Sequence, residues 1–221
     1  KGDYSWGYDN MTSVKGLFAA GDASGASSHK FSSGSLTEGR IAGKAAVRFV
    51  VENNDLPEVD QSVIDAYKER ILRPLDIFEK HKGDTTDPDV NPAYIRPKQF
   101  MFRLQKIMDE YAAGVSANFS TSKALMDKGM ELLAFLKEDS EHVAAEGLHE
   151  LMRAWENIHR MWQGEVHIRT IMAREETRWP GYYFRADFPS MKDDGEYFMN
   201  AKYDAAGDKW EMVKRPIHRL I

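Results

Sequence analysis

Apolar residues recur at helical spacing from about Asp60 to Glu176, and this pattern constrains the fold of the chain more than any other feature of its sequence. A first stripe, with steps of three and four residues, consists of Val63, Tyr67, Ile71, Leu75 and Phe78. Similar stripes follow from Pro97, over roughly 122–137 and from about 140 to 176, and a loop at 83–97 precedes them. Four amphipathic helices of this kind predict a helical bundle.

Shorter elements are predicted on both sides of the bundle. The apolar run Val14–Asp22 ends in Gly-Asp and predicts a buried strand that opens into a loop. The capping-box pattern of Ser35 and Glu38 predicts a helix from Leu36 to about residue 53. Two strand-like runs around "DAAGD" predict a β-hairpin within 196–216. The expected fold is therefore mainly α with a small α/β part, divided into residues 1–55, a helical bundle over 56–176 and an extended docking tail over 177–221.

Composition excludes several classes of protein. The net charge is -5, and no run of Lys and Arg is interleaved with aromatic residues, so a nucleic-acid surface is not expected. The longest apolar stretches are far shorter than the ~20 residues of a membrane span. The chain has no Cys, which excludes disulfides and thiolate ligands of its own and fits a reducing compartment, so we expect a soluble cytoplasmic protein.

A Gly- and Ser-rich loop lies between the predicted strand and the predicted helix. Unpaired N–H groups and the helix dipole favour negative charge at a helix start, so the loop suits an anion or the electron-rich edge of a reduced flavin. The carboxylate of Asp22 suits sugar-like hydroxyls. His29 fits a titrating or substrate-holding role about as well as a solvent-facing one. The spacing alone equally allows a plain glycine-rich turn before a capped helix.

Two other patterns carry weaker indications. Glu-x-x-His occurs at 146–149 and 156–159, but both copies lie on one predicted helix, about 15 Å and about 280° apart, so they cannot share a metal pair and no metal site is expected. The stretch Arg174–Pro189 contains three Arg and five aromatic residues. Such composition favours docking against another domain or subunit over contact with an anionic substrate.

Several long motifs in one order carry a resemblance to a known family. They are "YDNMTSVKGLFAAGD", "GASSHKFSSGS", "EGRIAGKAAVRF", "RLQKIMDEYAAG" and "TRWPGYYFRADFP". Together they resemble the carboxyl half of the fumarate reductase and succinate dehydrogenase flavoprotein family, and within it the alpha subunits of dissimilatory adenylylsulfate reductases. The resemblance covers residues 8–221.

The resemblance implies an FAD-dependent oxidoreductase that reversibly reduces adenosine 5'-phosphosulfate to sulfite and AMP through a sulfite adduct at flavin N5. Electrons would come from iron–sulfur clusters on a separate beta subunit. By the same resemblance the cofactor-binding residues are Gly21, Asp22, Ser33, Ser35 and Leu36. His29 would be the catalytic, substrate-side histidine, and Phe78 would stack on the adenine of the substrate.

The chain departs from the family pattern in two places. A His often follows "SSGS" in the family, where this chain has Leu36. No G-x-G-x-x-G follows a strand, so the loop for the cofactor pyrophosphate is expected in an amino-terminal remainder of the alpha subunit. We therefore expect a carboxyl-terminal portion that begins with the last piece of the FAD-binding domain and is inactive alone. The alternatives are a related flavoprotein that acts on a dicarboxylate, and a segment that serves only in subunit interaction.

Overall fold

The structure is a computed structural model that describes residues 6–24, 31–54, 58–178, 181–192 and 196–217. The chain forms two compact units, Lys1–Ser62 and Val63–Ile221. Among the described helices, none combines the length and the apolar character that crossing a membrane requires.

The first unit is built on one long helix, α1, which spans Ser32–Glu52. The ring of Phe49 on α1 packs edge-on against Tyr8 and Phe18, with ring centroids 5.2 and 6.2 Å away. The Tyr8 hydroxyl donates a hydrogen bond to Glu52 at the end of the helix. These contacts fix the segment before α1 along the helix.

The segment Val14–Asp22, predicted as a buried strand, forms turns instead. Its backbone pairs locally, since Thr12 N–H donates to Leu17 O and Ala19 N–H donates to Asn10 O. A single antiparallel bridge joins Met11 to Phe18. The prediction was wrong because a strand needs a neighbour, and residues 6–24 and 31–54 offer none with which this segment forms a ladder.

Helix α1 begins four residues earlier than the predicted start at Leu36. Phe31 is its N-cap residue, and the Phe31 side chain makes no capping hydrogen bond. The N–H of Ser35 donates to Phe31 O and is already part of the helix. The capping box does not form, because Glu38 is engaged elsewhere, as described below.

The second unit contains the four predicted helices, and three of them pack as a bundle, whereas the stripe residues Val63, Tyr67 and Ile71 of the first helix are 48%, 59% and 46% exposed. Its helices are α2 (Gln61–His81), α3 (Pro97–Tyr111), α4 (Lys123–Asp139) and α5 (Leu148–Arg174). Helices α3, α4 and α5 pack on one another around a core that includes Phe100, Leu104, Met126, Leu136, Ile158 and Ile168.

Helix α5 starts eight residues later than its pattern predicted. Residues 140–142 form a separate 3-10 turn, and Val143 then pairs in parallel with Ile95. The N–H of Ala144 donates to Ile95 O. Tertiary pairing therefore keeps this segment extended although its composition is compatible with a helix.

Two small sheets complete the second unit. Strand β1 (Ser120–Thr121) pairs in parallel with β2 (Phe184–Arg185), an arrangement that local patterns did not predict. Strands β3 (Tyr197–Asp204) and β4 (Lys209–Pro216) form the predicted hairpin, with Asp204 opposite Lys209. Strand β3 also packs on α5.

Candidate functional site

The turn Gly21–Ser24 lies directly against the first turns of helix α1. Gly21 is buried and has a φ of +65°, a backbone conformation that favours glycine. A Cβ added at this position would lie 3.1 Å from Ser35 Oγ. The close approach of the turn to the helix thus depends on the absence of a side chain at Gly21.

Glu38 holds this turn in place. Its carboxylate accepts a hydrogen bond from the Gly21 N–H at 2.7 Å and another from the Ser24 hydroxyl, and its side chain is buried inside the first unit. Sequence reasoning assigned Glu38 to a capping box and missed this role. The signal available in the sequence was a carboxylate nearly two turns into a helix that is rich in small residues.

The predicted cofactor-binding residues occupy the turn and the helix start. Gly21 lies close enough to Ser35 that an added Cβ would be 3.1 Å from its Oγ, and Asp22 lies exposed in the same turn. Ser33 and Leu36 are exposed on the first turns of α1, and the Leu36 side chain is 75% accessible. His29 lies outside the described residues. Their positions alone do not test whether these residues bind the cofactor, so their assigned roles stay predictions.

The residues of this site fit a flavin. A helix start without a side-chain cap offers backbone N–H groups and the positive end of the helix dipole to an electron-rich ring edge. The exposed carboxylate of Asp22 can accept hydrogen bonds from hydroxyls. The buried glycine lets the backbone approach the helix closely, which keeps both elements at one place.

Phe78, predicted to stack on the adenine, lies in the second unit and is buried. It packs in a small cluster with Tyr94 and Ala144. The guanidinium of Arg96 lies over its ring, 5.0 Å from the centroid, and bonds to Glu150 at 2.6 Å. Because the Phe78 residue is only 6% accessible, a base could stack on its ring only after a rearrangement, so the role of Phe78 stays a prediction.

The Arg-rich stretch after α5 is an internal network. Glu176 is fully buried and pairs with Arg174 and Arg178. Although burial alone would raise its pKa, hydrogen bonds from Arg178, the Lys192 backbone and Arg174 lower the pKa of Glu176 to about 2. These cations therefore neutralise a carboxylate of their own chain.

Arg185 is buried in the same region. Its guanidinium bonds both oxygens of Asp187 at 2.8 and 2.9 Å and donates to Ile171 O at the end of α5 at 2.6 Å. Asp187 also accepts from the Lys123 N–H at the start of α4, at 2.8 Å. Bonding to Arg185, opposed by partial burial, lowers the pKa of Asp187 to about 2. This pair joins two helices and β2, which favours a structural role over a contact with substrate.

A cavity of about 630 Å³ opens between the carboxyl end of α5 and β3. Its lining includes Arg174, Arg178, Tyr183 and Tyr197. Because Glu176 engages both arginines, the cavity offers mainly aromatic and aliphatic surface. It suits an apolar side chain more than an anion.

Comparison with known proteins identifies one related enzyme subunit. No protein-family model matches the chain. The chain is 47% identical over 216 residues to the adenylylsulfate reductase subunit alpha of Megalodesulfovibrio gigas, covering 97% of this chain and 32% of that protein.

Solved structures agree with that relationship. An adenosine-5-phosphosulfate reductase in complex with sulfite, as a covalent adduct, matches with a TM-score of 0.90 and 52% identity, covering 97% of this chain and 34% of the other. A quinol fumarate reductase of E. coli shares the fold, with a TM-score of 0.66 and 22% identity over 95% of this chain and 35% of the other. Over nearly its whole length the chain is therefore similar to a part of the adenylylsulfate reductase alpha subunits, and it spans about one third of the length of the relatives that it matches.

Proposed function

We propose that this chain supplies one wall of an FAD site in an adenylylsulfate reductase, which reversibly converts adenosine 5'-phosphosulfate and two electrons into sulfite and AMP. In that reaction the sulfur–oxygen bond to the phosphate breaks, its bonding electron pair leaves with the AMP oxygen, and the two added electrons become the lone pair on the sulfur of sulfite. The observation that carries the proposal is the Gly21–Ser24 turn, held against the uncapped start of α1, in a chain similar to these alpha subunits.

The proposal assigns each residue of the site a contact with one part of the flavin. Gly21 and Asp22 contact the ribityl chain, with the Asp22 carboxylate accepting hydrogen bonds from hydroxyls. Ser33, Ser35 and Leu36 place the helix start beneath the pyrimidine edge of the ring, where its dipole stabilises negative charge. A bound flavin supplies two-electron redox chemistry.

His29 is proposed to face the substrate. An imidazolium or a ring N–H can bind the anionic oxygens of a sulfate or phosphate group, and its ordinary pKa lies close to neutral pH. The His29→Ala variant of the complete subunit should then lose turnover while it keeps its flavin. Equal losses of turnover and flavin content would refute the substrate role.

Phe78 is proposed to contact the adenine in a rearranged state. A rearrangement that removes Arg96 from the ring face would break the ion pairs of Arg96 with Glu146 and Glu150. A Phe78→Leu variant should raise the KM for adenosine 5'-phosphosulfate if the ring stacks on the base. An unchanged KM together with a lower melting temperature would leave Phe78 with a core role alone.

The proposed partners are an iron–sulfur beta subunit and an amino-terminal remainder of the alpha subunit, in the cytoplasm. The chain has no Cys to ligate a cluster, so an iron–sulfur electron donor would be held by another chain or segment. The tail over 177–221 is proposed to dock on a partner. Its apolar side chains Tyr182, Phe198 and Ile217 are 79%, 61% and 44% exposed, which suits a subunit contact.

An activity assay on the complete subunit complex tests the proposed reaction. With a reduced electron donor, we expect sulfite and AMP to form from adenosine 5'-phosphosulfate, and we expect fumarate to leave the donor reduced. Reduction of fumarate without turnover of adenosine 5'-phosphosulfate would instead support a dicarboxylate enzyme with the same fold.

A further inference from the structure

One carboxylate oxygen of Glu38, Oε1, has no partner in the site described above. Oε2 accepts the hydrogen bonds from Gly21 and Ser24, whereas Oε1 is buried and has no hydrogen-bond partner among the described residues. Only 7% of the Glu38 residue surface is accessible. A buried carboxylate oxygen without a donor is unfavourable, and native structures almost always provide one.

The chemistry of this oxygen restricts what can satisfy it. An ionised carboxylate oxygen only accepts hydrogen bonds, so the missing partner must be an O–H or N–H donor. The donor must also reach the place where the Gly21–Ser24 turn meets α1, because the other oxygen of the same carboxylate is bonded there. This is where the proposed flavin lies.

We infer that Glu38 is a flavin-binding residue, whose Oε1 accepts a hydrogen bond from a hydroxyl of the ribityl chain. The inference rests on the proposed function. The ribityl chain carries several hydroxyls and no charge, so it can approach a buried carboxylate without repulsion. Glu38 then fixes the protein turn with one oxygen and the cofactor with the other.

Flavin analogues provide the test in the complete subunit. The flavin is removed, and FAD or FAD analogues that each lack one ribityl hydroxyl are titrated back while the quenching of flavin fluorescence is measured. A hydrogen bond to a charged acceptor is roughly twice as strong as one between neutral groups. We expect deletion of one particular hydroxyl to raise the Kd of the wild-type subunit about tenfold or more.

A variant identifies the acceptor. In Glu38→Gln the amide oxygen can keep the hydrogen bonds from Gly21 and Ser24, and the charged acceptor Oε1 is replaced by an NH2 group, which can only donate a neutral hydrogen bond to the hydroxyl oxygen. The same hydroxyl deletion should then raise Kd by about threefold or less, since a neutral hydrogen bond is weaker. Glu52→Gln, at the far end of α1, is the matched control and should keep the tenfold penalty.

The outcomes separate this inference from the proposed function. If the wild-type subunit does not bind FAD, the proposed function fails and the inference fails with it. If the subunit binds FAD but no single hydroxyl deletion weakens binding tenfold, Glu38 does not accept a hydrogen bond from a ribityl hydroxyl. This outcome needs only the wild-type subunit, so it can be reached even if Glu38→Gln does not fold. Equal penalties in Glu38→Gln and the wild type would likewise overturn the inference.

Discussion

Replacing Arg185 by Met should destabilise the second unit strongly, because the guanidinium is the centre of a buried network. Only 1% of its side chain is exposed, and it bonds both oxygens of Asp187 and the Ile171 carbonyl. Removing one member of a buried ion pair costs about 3–5 kcal/mol. Asp187 is 27% exposed and keeps its bond from Lys123, so the carboxylate is partly compensated and we expect about 3 kcal/mol.

Urea unfolding of the 221-residue chain, followed by circular dichroism, measures this change in the free energy of unfolding. With a slope of about 1–3 kcal/mol per M, the midpoint should fall by roughly 1–3 M. Arg153→Met on the surface of α5 is the control, since Arg153 is 50% exposed and its pair with Glu156 should contribute less than about 1 kcal/mol. Equal, small effects of the two substitutions would show that Arg185 does not hold the network together.

Three further predictions concern acid stability, helix packing and the flavin site. Because the folded pKa of Glu176 is about 2, below its ordinary value of 4.5, its contribution to the free energy of unfolding should be complete above about pH 4.5 and lost toward pH 2. A Glu176→Gln variant unfolded at several pH values should show a smaller loss over that window, and an unchanged loss would contradict the assignment. Gly129→Ala should lower the free energy of unfolding by about 1–3 kcal/mol, since the new Cβ would lie 2.9 Å from Tyr111 Cβ. Gly164→Ala is the control and should be tolerated, because its Cβ would meet the flexible side chain of Met108. Similar melting temperatures for the two variants would refute this prediction. Gly21→Ala should lower the flavin content of the complete subunit, because its φ of +65° and its packing against the helix disfavour a side chain, and full flavin content would argue against a close contact there.

The sequence predicted helices where apolar periodicity is continuous. The stripe that contains Phe100, Leu104 and Ile107 is buried on α3, as its spacing indicated. The starts of α1 and α5 were wrong because contacts between residues distant in sequence override the local pattern. Glu38 bonds Gly21 instead of forming the capping box with Ser35, and Val143 is held extended by Ile95. Contacts of this kind leave no mark in a local pattern.

The site was predictable only in part. The Gly-Asp turn before a Ser-rich helix start was visible in the sequence, and Gly21 does lie against Ser35. The role of Glu38 depends on a bond to a residue 17 positions earlier, so its capping-box interpretation was locally reasonable and wrong. The arginines after α5 suggested docking, but their partner Glu176 lies within the same stretch, and its complete burial is a property of the folded chain.

The measurement that tests the central claim most directly is a sulfite titration of the complete subunit complex, followed by the visible absorption of the flavin. A chain that forms one wall of an adenylylsulfate reductase site should place sulfite next to the flavin. Sulfite should therefore bleach the visible band in a saturable manner, and excess AMP should change the apparent affinity. A flavin spectrum that sulfite leaves unchanged would contradict the account.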